Sequence, residues 1–400
     1  MNRFSFLFTL LLTSQLSAQI SLDRLADDPM LATDVYHLYE YSPSKLTAPP
    51  RGYKAVYLSH YGRHGERFLN RESYIYPGLE VLKREPLTPL GEKALAVISD
   101  MEERSRDNWG ALSPLGAKNH KAIAGRMFQR NRRIFRSGRT VRCEATDRPR
   151  CIVSMANAAS VLAASRPGLN MEFVSSRRFH CYTLDDALIS FLLSQRDSLF
   201  KAHPGAYDCI GACFAVPSNL SPEDLSDVAT AIFFTWKDMP CLEMTQFDIR
   251  EFFSEELLFL NARHSASWDY CLLSKSKWWN KDKLAPIFND IADRAEEALE
   301  SGNVAADLRF GHDSQLIPIY TALGLAGDCP EMSYADAPDV WDAATVCPMT
   351  SNLQIVFYKN RKGSVLVKVL KDEQEVKIPS LSPVKGPYYR WEDFAALLRN

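Results

Sequence analysis

The chain has 400 residues, 46% of them hydrophobic, which is enough for a sizeable buried core spread over about two or three domains. Its 47 Lys and Arg against 49 Asp and Glu leave a net charge of -2. That balance excludes a generally nucleic-acid-binding protein, so a polyanionic partner must meet a local basic patch.

Residues 1–18, MNRFSFLFTLLLTSQLSA, combine a basic Arg3, an apolar run from Phe4 to Leu12 and the small pair Ser17-Ala18. This reads as an export signal cleaved after Ala18. The apolar run is well short of the ~20 residues that a spanning helix requires, and no later stretch is long and apolar enough. The expected mature chain is therefore a periplasmic or secreted monomer with no membrane contact once the signal is removed. Nine cysteines suit an oxidising compartment. Cys209 with Cys213, and Cys329 with Cys347, lie in turn-rich stretches and could pair, whereas Cys143 and Cys151 fall in apolar runs where a buried free thiol is expected.

KAVYLS (54–59) is a strand-like run, and Gly62 and Gly65 beyond it deny a helix, so the cluster around His64 belongs to a loop at the strand's C-terminal end. Two helix starts come next, LTPLGEKALAVISD from Leu87 and LSPLGAKNHKAIAGRMF from Leu112, each with Thr or Ser at the N-cap and Pro in the first turn. TVRCEA (140–145) predicts a strand, TDRPR (146–150) a turn and CIVSMANAASVLAAS (151–165) a helix. VAADLRFG (304–311) predicts another strand, with a helix from His312-Asp313 to a Gly324 stop. LQIVFY (353–358) and the hairpin-like run 364–378 complete the strand signals. The pattern predicts an α/β fold with a mostly parallel sheet covered by helices on both faces, built from 19–165 and 301–400. Aromatic-rich helical runs over 166–300 predict a mainly helical inserted domain.

In such a sheet, loops leaving the C-terminal strand ends converge on one crevice. Three loops carry chemistry: Arg63, His64 and Arg67; then Arg148 and Arg150; then His312 and Asp313. Guanidinium forks bind phosphate oxygens bidentately, and an imidazole nitrogen can attack phosphorus in line. Flanking arginines disfavour imidazolium and keep His64 nucleophilic. Asp313 would protonate the departing oxygen and then activate water. A metal site is the rival, because His60 and His64 are four apart and His312-Asp313 could add ligands. The glycines deny the helix that this spacing needs, and the arginines repel a cation, so neither metal nor cofactor is expected. From Lys118 to Arg150 eleven Lys and Arg stand against Glu144 and Asp147, a net of +9. This run is either a solvated helix face or a field focused on a polyanionic substrate.

RHGER, a later Arg followed by CIVSMANAA, and LRFGHD, together with LTPLG and NLQIVFY, resemble the histidine acid phosphatases over about residues 50–400, in the branch that includes phytases and multiple inositol-polyphosphate phosphatases. The resemblance implies a phosphoglycerate mutase-like core with no metal. It implies His64 as nucleophile, Arg63, Arg67, Arg150 and His312 as phosphate ligands, and Asp313 as proton donor. Arg150 is preferred to Arg148 because RCIVS puts Cys beside it and Ser four residues on. Arg148 is left as a neighbour for a second phosphate. The sequence departs from the family pattern at Leu69 and Asn70, where Pro and Thr are usual, at Glu66, and in reading His-Asp-Ser where many inositol-polyphosphate relatives read His-Ala-Glu. The implied function is an exported phosphomonoester hydrolase acting through a phosphohistidine on phytate or other inositol polyphosphates, a small phosphorylated polyanion. The alternatives are a broad acid phosphatase on sugar phosphates and a non-catalytic polyanion-binding protein.

Overall fold

A computed structural model describes residues 21–178, 185–327, 330–341 and 343–400. The export signal expected over 1–18 lies outside the described residues. The strands are β1 (Lys54–Arg63), β2 (Thr140–Ala145), β3 (Asn170–Ser175), β4 (Val304–Gly311), β5 (Asn352–Lys359), β6 (Val365–Lys371), β7 (Gln374–Glu375) and β8 (Tyr389–Arg390). The first helices are α1 (Leu22–Asp27), α2 (Tyr76–Arg84), α3 (Pro89–Ser105), α4 (Pro114–Arg130), α5 (Pro149–Ser165) and α6 (Asp186–Lys201). After them come α7 (Pro222–Asp238), α8 (Glu255–Leu273), α9 (Ala285–Ser301), α10 (Asp313–Ala322), α11 (Ala343–Val346) and α12 (Trp391–Arg399).

Both expected helix starts form: the Thr88 and Ser113 side chains accept from the backbone N–H of Gly91 and Gly116, with Pro in the first turn of each helix. The strands make one sheet in the order β3-β2-β4-β1-β5-β6-β7, with β8 on β6. β3, β2, β4 and β1 run parallel, and β5 returns antiparallel to β1. The parallel core is thus the expected one. The strand β3 was not foreseen from NMEFVS, which sits where the helical composition begins. β6 and β7 form the expected hairpin, whose two-residue turn puts Asp372 and Glu373 at φ 50° and 65°. A turn with positive φ at both central residues matches the strand twist. Glu373 is held there by Arg126 and Arg130 at 2.5 and 3.0 Å.

Side chains alternate across the sheet with the strand period of two. Tyr57 and Tyr61 of β1 pack with α9, α10 and α12, while Leu58 packs with α4 and α5. Helices therefore cover both faces. A further apolar cluster joins α2 and α3 to α7 and the first half of α8. The helical lobe beside the strand ends thus draws on chain from both before and after β2.

Cys209 and Cys213 are not bridged: both are free thiols, as are Cys143, Cys151 and Cys347. They lie four apart on the 3-10 helix Asp208–Cys213, whose three-residue turn sets such positions about 120° out of phase. Cys213 turns into the core, while the Cys209 thiol donates to the Ala206 carbonyl. Cys329 lies outside the described residues.

Candidate active site

The C-terminal ends of β1, β2 and β4 are neighbours in the sheet, so the three loops that carry chemistry meet as expected. Arg63 is the last residue of β1. The His64 amide donates to the Gly311 carbonyl at 2.8 Å, which ties the first loop to the third. Gly65 lies so close to α4 that a Cβ there would stand 2.7 Å from the Gly116 Cα, so only glycine lets the loop settle against that helix. The Gly65 amide donates to Ser154 Oγ of α5 at 3.2 Å. Glu66 is fully buried. Its carboxylate accepts from Asn119 Nδ2 at 3.0 Å and Thr350 Oγ1 at 2.8 Å, so it organises the loop.

His64 is buried, and its Nδ1 lies 2.9 Å from the Gly65 carbonyl. A carbonyl only accepts, so Nδ1 carries the proton and Nε2 keeps its lone pair. Burial, together with the charges of Arg150, Arg63 and His312, pushes the imidazole well below its usual range and keeps it neutral. The His312 ring stands edge-on to His64, with centroids 5.5 Å apart, and its Nε2 lies 3.1 Å from Thr146 Oγ1.

Arg63 is 1% exposed and donates from Nη1 to the carbonyls of Val35 and Cys347, at 2.5 and 2.8 Å. Its Nη2 meets Asp313 Oδ2 at 2.6 Å. Arg67 stacks over the Tyr36 ring at 4.8 Å and donates to the buried Asp238 carboxylate at 3.3 Å. Arg150 sits in the first turn of α5, not in the preceding turn as the sequence implied. Nε of both Arg63 and Arg150 is buried without a hydrogen-bond partner, so donors converge on the crevice with capacity left for an oxyanion. The N-terminus of α5 faces the same crevice and adds partial positive charge.

Asp313 opens α10 and accepts from the Ser314 amide at 2.7 Å. Burial pushes its carboxyl up, but the charges of Arg63 and His312 outweigh that and hold it below the usual carboxylate range. Arg148, the N-cap of α5, is exposed and stands beside the cluster. His60 is not a partner of His64. Strand geometry sets the two about 13 Å apart, and His60 packs on Phe310 with its ring pushed down to about 3, mainly by burial. Among the described residues no group of three or more His, Cys, Asp or Glu could hold a metal ion.

Sequence reading missed Asp34, Lys237, Asp238 and Asp269, which reach the cluster from the helical lobe. Lys237 is 4% exposed, with Nζ 3.8 Å from Asp34 and over the Tyr36 ring. Asp34 sits at φ 47°, a strained backbone of the kind found at functional sites. Burial pushes the Asp34 and Asp269 carboxyls up. The pair Lys237-Asp238 ends α7, and no spacing rule marks it as chemical.

The sequence model described as the histidine phosphatase superfamily (branch 2) matches residues 214–372, which include LRFGHD. That match spans 159 of the 400 residues, and over them the chain is similar to that superfamily and branch. No curated protein matches it by sequence. Among solved structures it is similar to the Bifidobacterium longum multiple inositol polyphosphate phosphatase in complex with inositol hexasulfate, at 16% identity and TM-score 0.74, over 92% of this chain and 97% of that one. It is also similar to the phytase from D. castellii, at 12% identity and TM-score 0.68, over 92% and 84% of the two chains. The Hafnia alvei phytase in complex with myo-inositol hexakis sulphate is similar at 14% identity and TM-score 0.51, over 88% and 97%. At these identities the likenesses establish the fold.

Proposed function

We propose that the chain hydrolyses phosphomonoesters through a phosphohistidine on His64, with inositol polyphosphates, phytate among them, as its preferred substrates. The observation that carries this reading is the His64 tautomer. Nδ1–H is spent on the Gly65 carbonyl, so the free Nε2 lone pair lies in a crevice walled by Arg63, Arg150 and His312.

Nε2 attacks phosphorus while the bond from phosphorus to the ester oxygen breaks, and the departing alkoxide takes a proton from Asp313. Water then attacks the phosphohistidine, gives its proton to Asp313, and releases inorganic phosphate and His64. Arg63, Arg67, Arg150 and His312 neutralise the phosphoryl oxygens through the transfer. Asp313 is ion-paired in the free protein. A phosphate dianion placed beside it takes up part of the Arg63 charge and adds negative charge of its own, and both raise the Asp313 pKa towards a proton donor.

Preference for inositol polyphosphates rests on the similar structures named above and on exposed Arg148 beside the Arg63, Arg67 and Arg150 cluster. Export rests on residues 1–18. The test is phosphate release from phytate, sugar phosphates and aryl phosphates in the presence of chelator, with an alkaline quench to trap the base-stable phosphohistidine. Release with label on His64 supports the reading. Release only after metal is restored, or saturable binding without release, would overturn it, and equal rates on all esters would favour the broad acid phosphatase.

A further inference from the structure

The basic run of the sequence does more than end at the crevice. Its middle, Arg130 to Arg133, lines a second cavity of about 610 Å3, a size typical of small-molecule sites. β1 enters this cavity at Lys54 and Ala55 and reaches the catalytic loop nine residues later at Arg63. At ~3.3 Å per strand residue the two sites are about 30 Å apart, at opposite ends of the sheet.

The floor is apolar, formed by Val356 and Tyr358 of β5 and Leu370 of β6, with Tyr53 beside them. One wall is the C-terminal end of α4. The other is the segment 44–49, fixed at Thr47. The Thr47 amide and hydroxyl donate to Glu375 at 2.6 and 2.7 Å, and its carbonyl accepts from Lys368 Nζ at 3.0 Å and the Tyr388 hydroxyl at 2.7 Å. The cavity is therefore preformed, so a ligand would bear little ordering cost.

Its charges fall into two groups. Arg130 is committed to Glu373 and the Tyr41 hydroxyl, and Lys368 to Glu375. Lys54, Arg132 and Arg133 are exposed and make no ion pair among the described residues, and no Asp or Glu lines the cavity. The helix dipole accounts for a cation in the last turn of α4, such as Arg130. It does not account for Lys54, which a separate strand brings to the same rim, nor for the apolar floor beneath.

We propose that this cavity is a second ligand site, separate from the catalytic crevice, for a small amphiphilic anion. An oxyanion head binds Lys54, Arg132 and Arg133, and an aromatic or acyl body lies on Tyr53, Val356 and Tyr358. The probe is 8-anilinonaphthalene-1-sulfonate, titrated into the full chain by fluorescence and calorimetry with inorganic phosphate saturating the catalytic crevice. One saturable site is expected. The double variant Arg132→Gln/Arg133→Gln should weaken it by about tenfold or more, since charge-assisted contacts are lost. Ala55→Phe, which fills the cavity, should abolish it, and hydrolysis of 4-nitrophenyl phosphate should stay within about twofold for the exposed double variant. Absence of saturable binding, displacement by phosphate, or unchanged affinity in the double variant would overturn the proposal. So would equal binding of inositol hexakissulfate, which has no apolar body, because the cavity would then be a basic patch alone.

Discussion

Arg63 Nη2 and Asp313 Oδ2 meet at 2.6 Å, so the residue proposed to donate a proton is held ionised by a residue proposed to bind phosphate. In the proposed mechanism substrate breaks this pairing before Asp313 acts as an acid. Asp313→Asn should therefore lower kcat by about 100-fold or more for alkyl phosphates, whose leaving oxygen needs protonation, and far less for 4-nitrophenyl phosphate. Steady-state kinetics on the two esters checks this. Equal losses on both would remove Asp313 from the acid role.

The same pair sets the pH dependence. His64 is held well below 6.5, so the proposed nucleophile stays neutral into acid solution. Asp313 lies below its usual value of 3.8 in the free protein, so the proton-donating form is lost as pH rises. Both directions place the maximum of kcat/KM for alkyl esters on the acid side of 6.5, with activity falling as pH increases. kcat/KM reports the groups of the free enzyme, so a pH profile on glycerol phosphate tests this directly. In Asp313→Asn the falling limb should flatten.

In the proposed mechanism His64→Ala removes the atom that carries the phosphoryl group and leaves the arginines proposed to bind it. Turnover should fall by about 10,000-fold or more, with no base-stable phosphoenzyme. The circular dichroism spectrum should be unchanged, and inorganic phosphate should still bind in calorimetry. Near-normal hydrolysis of an aryl phosphate would refute the nucleophile assignment.

The parallel core and the meeting of positions 64, 150, 312 and 313 were legible because strand, loop and helix signals are local. β-branched runs, Pro and Gly punctuation, and Ser or Thr caps each act over a few residues. β3 was not legible: NMEFVS is short and largely exposed at the sheet edge, so it lacks a clear apolar pattern. Lys237 and Asp238 were not legible either, because their meaning comes from α7 packing across the strand ends, a tertiary fact. The paired-cysteine expectation failed at Cys209 and Cys213 because spacing in sequence does not set direction on a helix.

A buried charge cluster supports the sheet behind the site. The Asp307 carboxylate of β4 accepts from Arg142 Nε and Nη2 at 2.7 and 2.8 Å, Arg294 Nη1 at 3.0 Å and the Tyr57 hydroxyl at 2.5 Å. Burial pushes its carboxyl up, but the arginines and tyrosine prevail and hold it below 3.8. A depressed folded-state pKa means the stabilisation is present above the unfolded value and is lost as pH falls through the folded one. Asp307→Asn should cost about 3 kcal/mol near neutrality, read from urea midpoints. The difference between variant and wild type should shrink once the pH falls below about 4, where the unfolded carboxylate is protonated.

Asp238 tests whether the helical lobe serves the site or only covers it. Its carboxylate is fully buried and is the acidic partner of Arg67, at 3.3 Å, while the Tyr36 ring stacks on the guanidinium. The two contacts fix where the Arg67 fork points, and a fork already aimed loses less freedom when phosphate arrives. Asp238→Asn keeps the volume and one acceptor but removes the charge, so Arg67 should wander and bind phosphoryl oxygens less well. The expected outcome is a rise in KM of about tenfold for every phosphomonoester, equivalent to roughly 1.4 kcal/mol, with kcat reduced less because Arg63 and Arg150 remain. The inhibition constant for inorganic phosphate should rise in parallel. A role confined to packing would instead lower the melting temperature and leave both constants where they were, and that result would separate Asp238 from the chemistry.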